Sequence, residues 1–442
     1  MSKSPAALPS FAVLAIGDEV LRGEIVNGNA AFLSDRAFGM GLVPGEHAVV
    51  ADDPLVMEAT LRRLAASHAV VFVTGGLGPT EDDRTVDVVS RMLGVEPELH
   101  GPSAEAMRAR FARQNFHLTP NNERQVRVPA GADPLQNPVG LAPGFHVRLG
   151  EASAYFMPGV PREMNRIFEG GVVPHLQGLI ARAGGLPTKV CTWHVYGMGE
   201  SHIDHALTGL LEGLPEGQSA SLHFRAAQTE CHVRVVLRHE PTPEAETAAA
   251  ATLGTLDAQV TSRLGQAVYG TGEDTFPLVV QQLFRARGRT LAFAESCTGG
   301  YAAELFTEEP GASAVFLGAV VAYANEVKTR VLGVPVETLA AHGAVSEPCA
   351  RDMAEGGRRL LGADVVVAIT GIAGDSRDGS TRPVDVPGQK PLGTVCFAVT
   401  YGGETRTLTR LFSGGRDRIR RAAAFAALDL ARQALLGRSG ER

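Results

Sequence analysis

Cysteine is sparse in this chain of 442 residues: Cys191, Cys231, Cys297, Cys349 and Cys396 are widely scattered, with no Cys-x-x-Cys pair. An odd, scattered set excludes a disulfide framework and offers no structural zinc spacing. Aromatic residues make up only 6%, and Trp193 is the single tryptophan. A basic excess is also missing; the net charge is −7 and the isoelectric point about 6.0. A dedicated nucleic-acid binder would carry a basic face or stripe, so direct nucleic-acid binding is not expected, although a local anion site is compatible with this balance. No apolar run reaches the ~18 residues that a membrane span needs. The first apolar run, "FAVLAIG" at 11–17, meets Asp18 and Glu19 too soon for a secretory signal. The expectation is a cytoplasmic protein with no membrane partner.

What is present is a globular composition, 44% hydrophobic and 20% charged, in a length that suggests about two to four domains. Residues 10–172 alternate between apolar, β-branched runs such as "FAVLAIG" and "AVVFVTGG" and helical patterns such as "PLVMEATLRRLAAS". Such alternation predicts a parallel sheet covered by helices on both faces. The stretch "EDDRTVDVVSRMLG" (81–94) reads as a helix whose first turn is acidic, where the helix dipole favours negative charge. Residues 175–262 have the texture of a small α+β module, with strands expected at 189–200, 219–228 and 230–240. Residues 270–438 return to strand–helix alternation, interrupted by the polar loop "GDSRDGSTRPVDVPGQKP". The expected fold class is α/β: two α/β domains with mainly parallel sheets, joined by a small α+β module.

In the third region, "AESCTGG" (294–300) places Ser296 at the end of a predicted strand, with Thr298, Gly299 and Gly300 opening a helix. That position exposes a side chain at the carboxyl end of a sheet, where α/β folds bind ligands. Backbone N–H groups at such a helix start suit a phosphate or an oxyanion. A plain strand–helix turn capped by Ser or Thr explains the same stretch. "AYANEVK" follows, with Tyr323 ending a strand, Asn325 as N-cap and Lys328 in the first helical turn. A lysine whose pKa is lowered there would serve as a general base, and Ser–Lys pairs are a known form of activated serine. A solvated surface lysine is the ordinary alternative. "VVVAITGIAG" brings Thr370, Gly371 and Gly374 to another strand end, and "FSGGRDRIRR" begins a helix with Arg416, Arg418, Arg420 and Arg421. Arginines oppose the helix dipole there, so an anionic ligand is one explanation and ordinary surface charge another. Cys297 alternates away from Ser296 along the strand and reads as a packed small residue.

These motifs, with "AHGAVSEP" and "KPLGTV", occur in an order that strongly resembles the C-terminal domain of the CinA family. The resemblance implies hydrolysis of nicotinamide mononucleotide to nicotinic acid mononucleotide and ammonia, with no cofactor. It further implies Ser296 as nucleophile and Lys328 as supporting catalytic residue. Tyr323 joins the catalytic group, and Thr298, Gly299, Gly300, Thr370, Gly371, Gly374 and Arg416 are the expected substrate contacts. Asp375 stands where the family usually has proline, and the loop that follows is longer than usual.

"VFVTGGLGPTEDDRT" combines a buried strand, a glycine loop and clustered acids. Glycines allow close backbone approach to phosphates, and Asp82 and Asp83 are candidate ligands for a metal. Helix capping is the alternative use of such acids. With "GDEVLRGEIVNGN", "NPVGLAPGF" and "PGVPREM", this region is similar to the N-terminal domain of CinA proteins and to molybdopterin-binding domains. The resemblance implies ADP-ribose hydrolysis with a divalent cation, Mg or Co, through Gly75, Gly76, Gly78, Thr80, Asp82 and Asp83. It also implies a KH-like middle module and a homodimer, although no basic G-x-x-G appears that would support RNA binding. A non-enzymatic nucleotide sensor associated with competence, or a molybdopterin-binding N-terminal domain, are the alternatives carried forward.

Overall fold

In a computed structural model, residues 9–182, 186–227, 229–374 and 390–437 are described. The "GDSRD" loop departure noted above, at 375–389, lies outside them. The strands are β1 (Ser10–Ile16), β2 (Val43–Val50), β3 (Val70–Thr74), β4 (Pro97–Leu99), β5 (Arg127–Pro129), β6 (Asp133–Leu135), β7 (Gly144–Leu149), β8 (Ala152–Met157), β9 (Thr188–Tyr196), β10 (Ser219–Ala226), β11 (Glu230–Arg238), β12 (Val268–Thr271), β13 (Leu291–Glu295), β14 (Phe316–Val321), β15 (Val365–Gly371), β16 (Thr394–Tyr401) and β17 (Glu404–Leu411). The chain divides into two compact units. One gathers residues through Val190 with Gly213–Ser221 and Val236–Gly254; the other gathers Cys191–Glu212, Leu222–Val235 and the chain from Thr255 onward.

The first sheet runs β2-β1-β3-β8-β7-β6. β1 pairs in parallel with β2 and β3, and β3 with β8, while β7 adds antiparallel partners at the far side. A strand buried on both faces must be apolar throughout, and β1 meets that demand: Phe11 to Ile16 are all buried. Because successive side chains alternate, Ala12, Leu14 and Ile16 pack with Met57, Leu61 and Val88 on one side. Phe11 and Val13 pack with Leu33, Ala37 and Phe168 on the other. Each such buried side chain contributes about 1.5–3 kcal/mol. The carboxyl ends of β1 and β3 thereby become fixed platforms for the loops that follow them.

The sheet of the C-terminal region runs β14-β13-β15-β16-β17. β13 lies parallel between β14 and β15, whereas β16 and β17 continue it antiparallel. β17 is not among the strands expected from sequence, because ETRTLTRL has only two apolar residues; it is a partly exposed edge strand whose burial, not its polarity, alternates. Leu291 and Phe293 of β13 pack against the helices Phe276–Ala286 and Arg416–Leu435. Ala294 faces the helix Glu347–Leu361. A smaller sheet, β10-β11-β9-β12, forms the α+β module. Among the described residues no helix is long and apolar enough to cross a membrane.

Candidate active site

β13 carries a charge at its last position. Glu295 is fully buried, and its carboxylate accepts N–H bonds from Gly300, Ala302 and Ala303 at 2.9–3.1 Å. Those are the donors at the start of the helix Tyr301–Thr307. A helix N-terminus leaves such donors unsatisfied, and a buried carboxylate needs them. This corrects the expectation that the Thr298–Gly300 N–H groups would be free for a ligand. The Gly300 N–H is held by Glu295, and the Gly299 N–H is held by the Ser296 carbonyl at 3.0 Å. The N–H groups of Cys297 and Thr298 are not among those held by a backbone carbonyl.

Ser296 follows, its own N–H fastened to the Ile369 carbonyl of β15 at 2.9 Å. It is 8% exposed, and Lys328 is 1% exposed. The Lys328 ammonium nitrogen lies 3.0 Å from Ser296 Oγ, 2.7 Å from the Ala322 carbonyl and 3.0 Å from the Tyr323 carbonyl. Lys328 therefore is not a solvated surface lysine. Burial holds its pKa below the usual lysine value. In its neutral form the amine has two N–H groups for the two carbonyls and one lone pair, which points at the serine hydroxyl. The helix Asn325–Leu332 that carries Lys328 starts at Asn325 itself, with Ala324 as N-cap and no side-chain cap, so Asn325 is not the cap expected. It packs on the helix Glu347–Leu361 through Gly356, where an added Cβ would fall 1.8 Å from the Leu332 carbonyl. Only glycine permits that approach, and the approach sets the position of the lysine.

The other expected residues divide. Tyr323 lies beyond the end of β14, its side chain 59% exposed. Its carbonyl holds Lys328, while its hydroxyl accepts from Arg416 at 3.1 Å. Gly374 adjoins Arg416, whose guanidinium would lie 3.3 Å from an added Cβ. Thr370 is buried and its hydroxyl donates to the Ala344 carbonyl at 2.7 Å, so it is a structural anchor and not a free substrate donor. Gly371 packs against Thr394 and Val395 of β16. The Thr298 carbonyl accepts two bonds from Arg420, and its buried hydroxyl has no partner among the described residues. Cys297 belongs to the apolar core, and burial pushes its thiol up to about 12. A thiol so placed is inert as a nucleophile.

In the N-terminal unit, β3 ends at Thr74, and Gly75 and Gly76 turn the chain with φ of +106° and +66°. The Thr85 hydroxyl and N–H close this turn on the carbonyls of Gly75 and Gly76. The helix begins at Thr85, so Asp82 and Asp83 lie in the preceding loop, not in a first helical turn as expected. Asp83 accepts from the Thr80 N–H at 2.9 Å and the Thr80 hydroxyl at 2.5 Å. Gly78 touches the Asp83 carboxylate closely enough to exclude a Cβ. Gly75, Gly76, Gly78, Asp82 and Asp83 line a cleft of about 530 Å³ with Asp52 and Glu19. Burial raises the Asp52 carboxyl above its ordinary value; the charges of Asp18, Glu19 and Asp82 add to this, and the bond from the Asp18 N–H opposes it. The donor chemistry suits a divalent cation, yet among the described residues no three His, Cys, Asp or Glu side chains converge as a metal cage.

Sequence reasoning singled out Ser296 and Lys328 but passed over Glu295, Asp52 and the carbonyls of Ala322 and Tyr323. A glutamate ending an otherwise apolar strand was a readable sign for Glu295; backbone carbonyls leave no sign at all.

Three family models match the chain. Residues 12–178 match a probable molybdopterin binding domain, 192–270 the damage-inducible protein CinA KH domain, and 273–435 the CinA C-terminal domain. A CinA-like protein of Anaeromyxobacter sp. (strain K) is 44% identical over 423 residues, covering 96% of this chain and 99% of its own length. A CinA-like protein of Geobacter sulfurreducens is 41% identical over 429 residues, with coverage of 96% and 99%. Among solved structures, the competence damage-inducible protein A of Klebsiella pneumoniae is 36% identical, covering 36% of this chain and 94% of its own, at a TM-score of 0.33.

Proposed function

The chain belongs to the CinA family, and from that premise we propose that its C-terminal domain hydrolyses the carboxamide of nicotinamide mononucleotide, giving nicotinic acid mononucleotide and ammonia. The observation that carries the reading is the 3.0 Å contact between Ser296 Oγ and a buried Lys328 nitrogen whose other two bonds are fixed by carbonyls. Lys328, neutral before reaction, takes the proton from Ser296 as Oγ bonds to the amide carbon. The carbonyl oxygen gains the electron pair and becomes the tetrahedral oxyanion. Of the turn's backbone donors, the N–H groups of Cys297 and Thr298 are the ones assigned to that charge. Collapse breaks the C–N bond, and Lys328 returns its proton to the leaving nitrogen, releasing ammonia. Water, deprotonated by the same amine, then cleaves the ester and regenerates Ser296.

Incubation of wild type and Ser296→Ala with nicotinamide mononucleotide, reading ammonia and the mononucleotide acid, tests this directly. Product from wild type alone is expected. Undiminished product from the alanine variant removes the assignment, and tight binding without turnover by folded wild type replaces it with a nucleotide sensor.

A second reading concerns the N-terminal cleft: metal-dependent hydrolysis of ADP-ribose to AMP and ribose 5-phosphate. It is favoured by the acids around Asp52, whose mutual repulsion a divalent cation such as Mg or Co would relieve. Bound there, the cation would neutralise a pyrophosphate; Gly75, Gly76 and Gly78 would let the phosphates approach the backbone. Competition by a pterin for the same cleft would instead favour molybdopterin binding.

A further inference from the structure

A second cationic feature lies in the C-terminal unit and takes no part in the mechanism above. Arg418, Arg420 and Arg421 line a cavity of about 750 Å³ together with Asp417, Tyr301 and the small residues Ala226 and Ala227. That volume falls within the range of small-molecule sites, about 300–1,000 Å³. Three guanidinium groups face it against one carboxylate, and Asp417 is fully exposed, its only ion pair a long 4.0 Å contact with Arg420. The three arginines are not equivalent. Arg420 is held by two bonds to the Thr298 carbonyl and lies over the Tyr301 ring at 5.9 Å. Arg418 and Arg421 have no carboxylate partner among the described residues. Like charges crowded on consecutive turns repel, and the start of a helix disfavours cations; the helix offsets this at Arg421, which lies over the Phe425 ring at 5.9 Å. Guanidinium forks match phosphate oxygens in pairs, which ammonium groups do not.

We propose that this cavity is a second anion site, separate from Ser296, that takes a small molecule carrying two linked phosphates. Arg420 forms its fixed wall, and Arg418 and Arg421 are the donors free to close on the ligand. Two phosphates fit better than one because three guanidinium groups line the cavity. Ala226 and Ala227 leave the space open on the opposite side.

The test is calorimetric titration of the full chain with inorganic pyrophosphate, and separately with orthophosphate, in the presence of a chelator so that any metal-dependent site is silent. Wild type is expected to bind pyrophosphate at least tenfold more tightly than orthophosphate, with an affinity that falls as salt rises. The double variant Arg418→Gln and Arg421→Gln, which keeps good helix formers at exposed positions, is expected to lose at least tenfold. Arg418→Lys with Arg421→Lys is expected to fall between, since charge remains and the forks are gone. Ser296→Ala is expected to bind as wild type does, whatever becomes of its amidohydrolase reading. Absence of pyrophosphate binding by wild type, or equal binding by the glutamine variant, overturns the proposal. Loss of binding in Ser296→Ala would overturn it too, by placing the anion in the serine site.

Discussion

The two halves of the chain use the same local plan, a buried strand, a glycine turn and a helix, and finish it differently. After β13 the helix donors are met by Glu295 from within the chain. After β3 the helix Thr85–Leu93 has Arg84 as N-cap with no side-chain cap, and the nearby Asp83 is spent on Thr80 instead. One turn is closed by its own carboxylate and presents Ser296. The other has no side-chain cap, its Thr85 N–H and hydroxyl bonded to the carbonyls of Gly76 and Gly75, beside glycines that allow close approach. A glycine turn at a sheet end is therefore not a phosphate site by itself; what occupies the helix donors decides.

The largest effect that can break this contrast is on the closed turn. Ser296→Ala is expected to lower amidohydrolase kcat by at least ~10³-fold, and Lys328→Met by about 10²–10⁴-fold. ADP-ribose hydrolysis in the same samples should be unchanged. A parallel loss of both activities would mean that the variants act on folding and not on one turn.

The pH dependence sharpens the same point. Burial lowers the Lys328 pKa from its ordinary 10.5, so the folded chain binds fewer protons than the unfolded chain between the lowered value and 10.5. Stability therefore rises with pH across that window, by up to about 1.4 kcal/mol per pH unit, and the cost of burying a charged lysine is fully present below it. Amidohydrolase activity should climb about tenfold per unit below the folded pKa and level off above it. Stability curves of Lys328→Met, measured by denaturant titration across the alkaline range, should lack the wild-type slope. An unchanged slope would show that Lys328 is charged in the resting enzyme.

A step smaller is the removal of charge from each carboxylate. Glu295→Gln puts an amide where three N–H groups need an acceptor, and is expected to cost about 1–3 kcal/mol in urea unfolding. Asp83→Asn, in a more open loop with two bonds from Thr80, should cost about 0.5–1.5 kcal/mol. Equal costs would erase the distinction between a closed and an open turn.

Much of this was legible in sequence, and the reasons differ residue by residue. β1, β3 and β13 announce themselves because strands buried on both faces are almost continuously apolar, Thr74 and Glu295 breaking the run only at the last position. Ser296 and Lys328 are 32 positions apart, and only the resemblance to a family linked them; no periodicity could have. Acids before a helix and acids within its first turn look alike on paper, so the sequence alone places Asp82 and Asp83 in the helix, whereas it starts at Thr85. β17 hid because it is an edge strand half exposed to solvent, with six polar residues in its eight, ETRTLTRL. The carbonyls that hold Lys328 were invisible, since every residue has one and only the fold selects which two converge.

The finest distinction between the turns lies in their glycines. Gly299 has φ of +63°, and an added Cβ would meet nothing nearer than Arg420 at 3.8 Å. Gly299→Ala should therefore cost only the left-handed conformation, about 1–2 kcal/mol. Gly75 has φ of +106°, and its Cβ would fall 2.1 Å from the Ile16 carbonyl. That oxygen belongs to β1, a central strand whose side chains are packed on both faces, so the clash cannot be relieved by a side-chain rotation. Gly75→Ala should cost more than Gly299→Ala, the excess measuring how rigidly β1 holds the open turn. If the two variants unfold at the same denaturant midpoint shift, β1 yields easily, and the open turn is open because it is loose and not because it is built to receive a ligand.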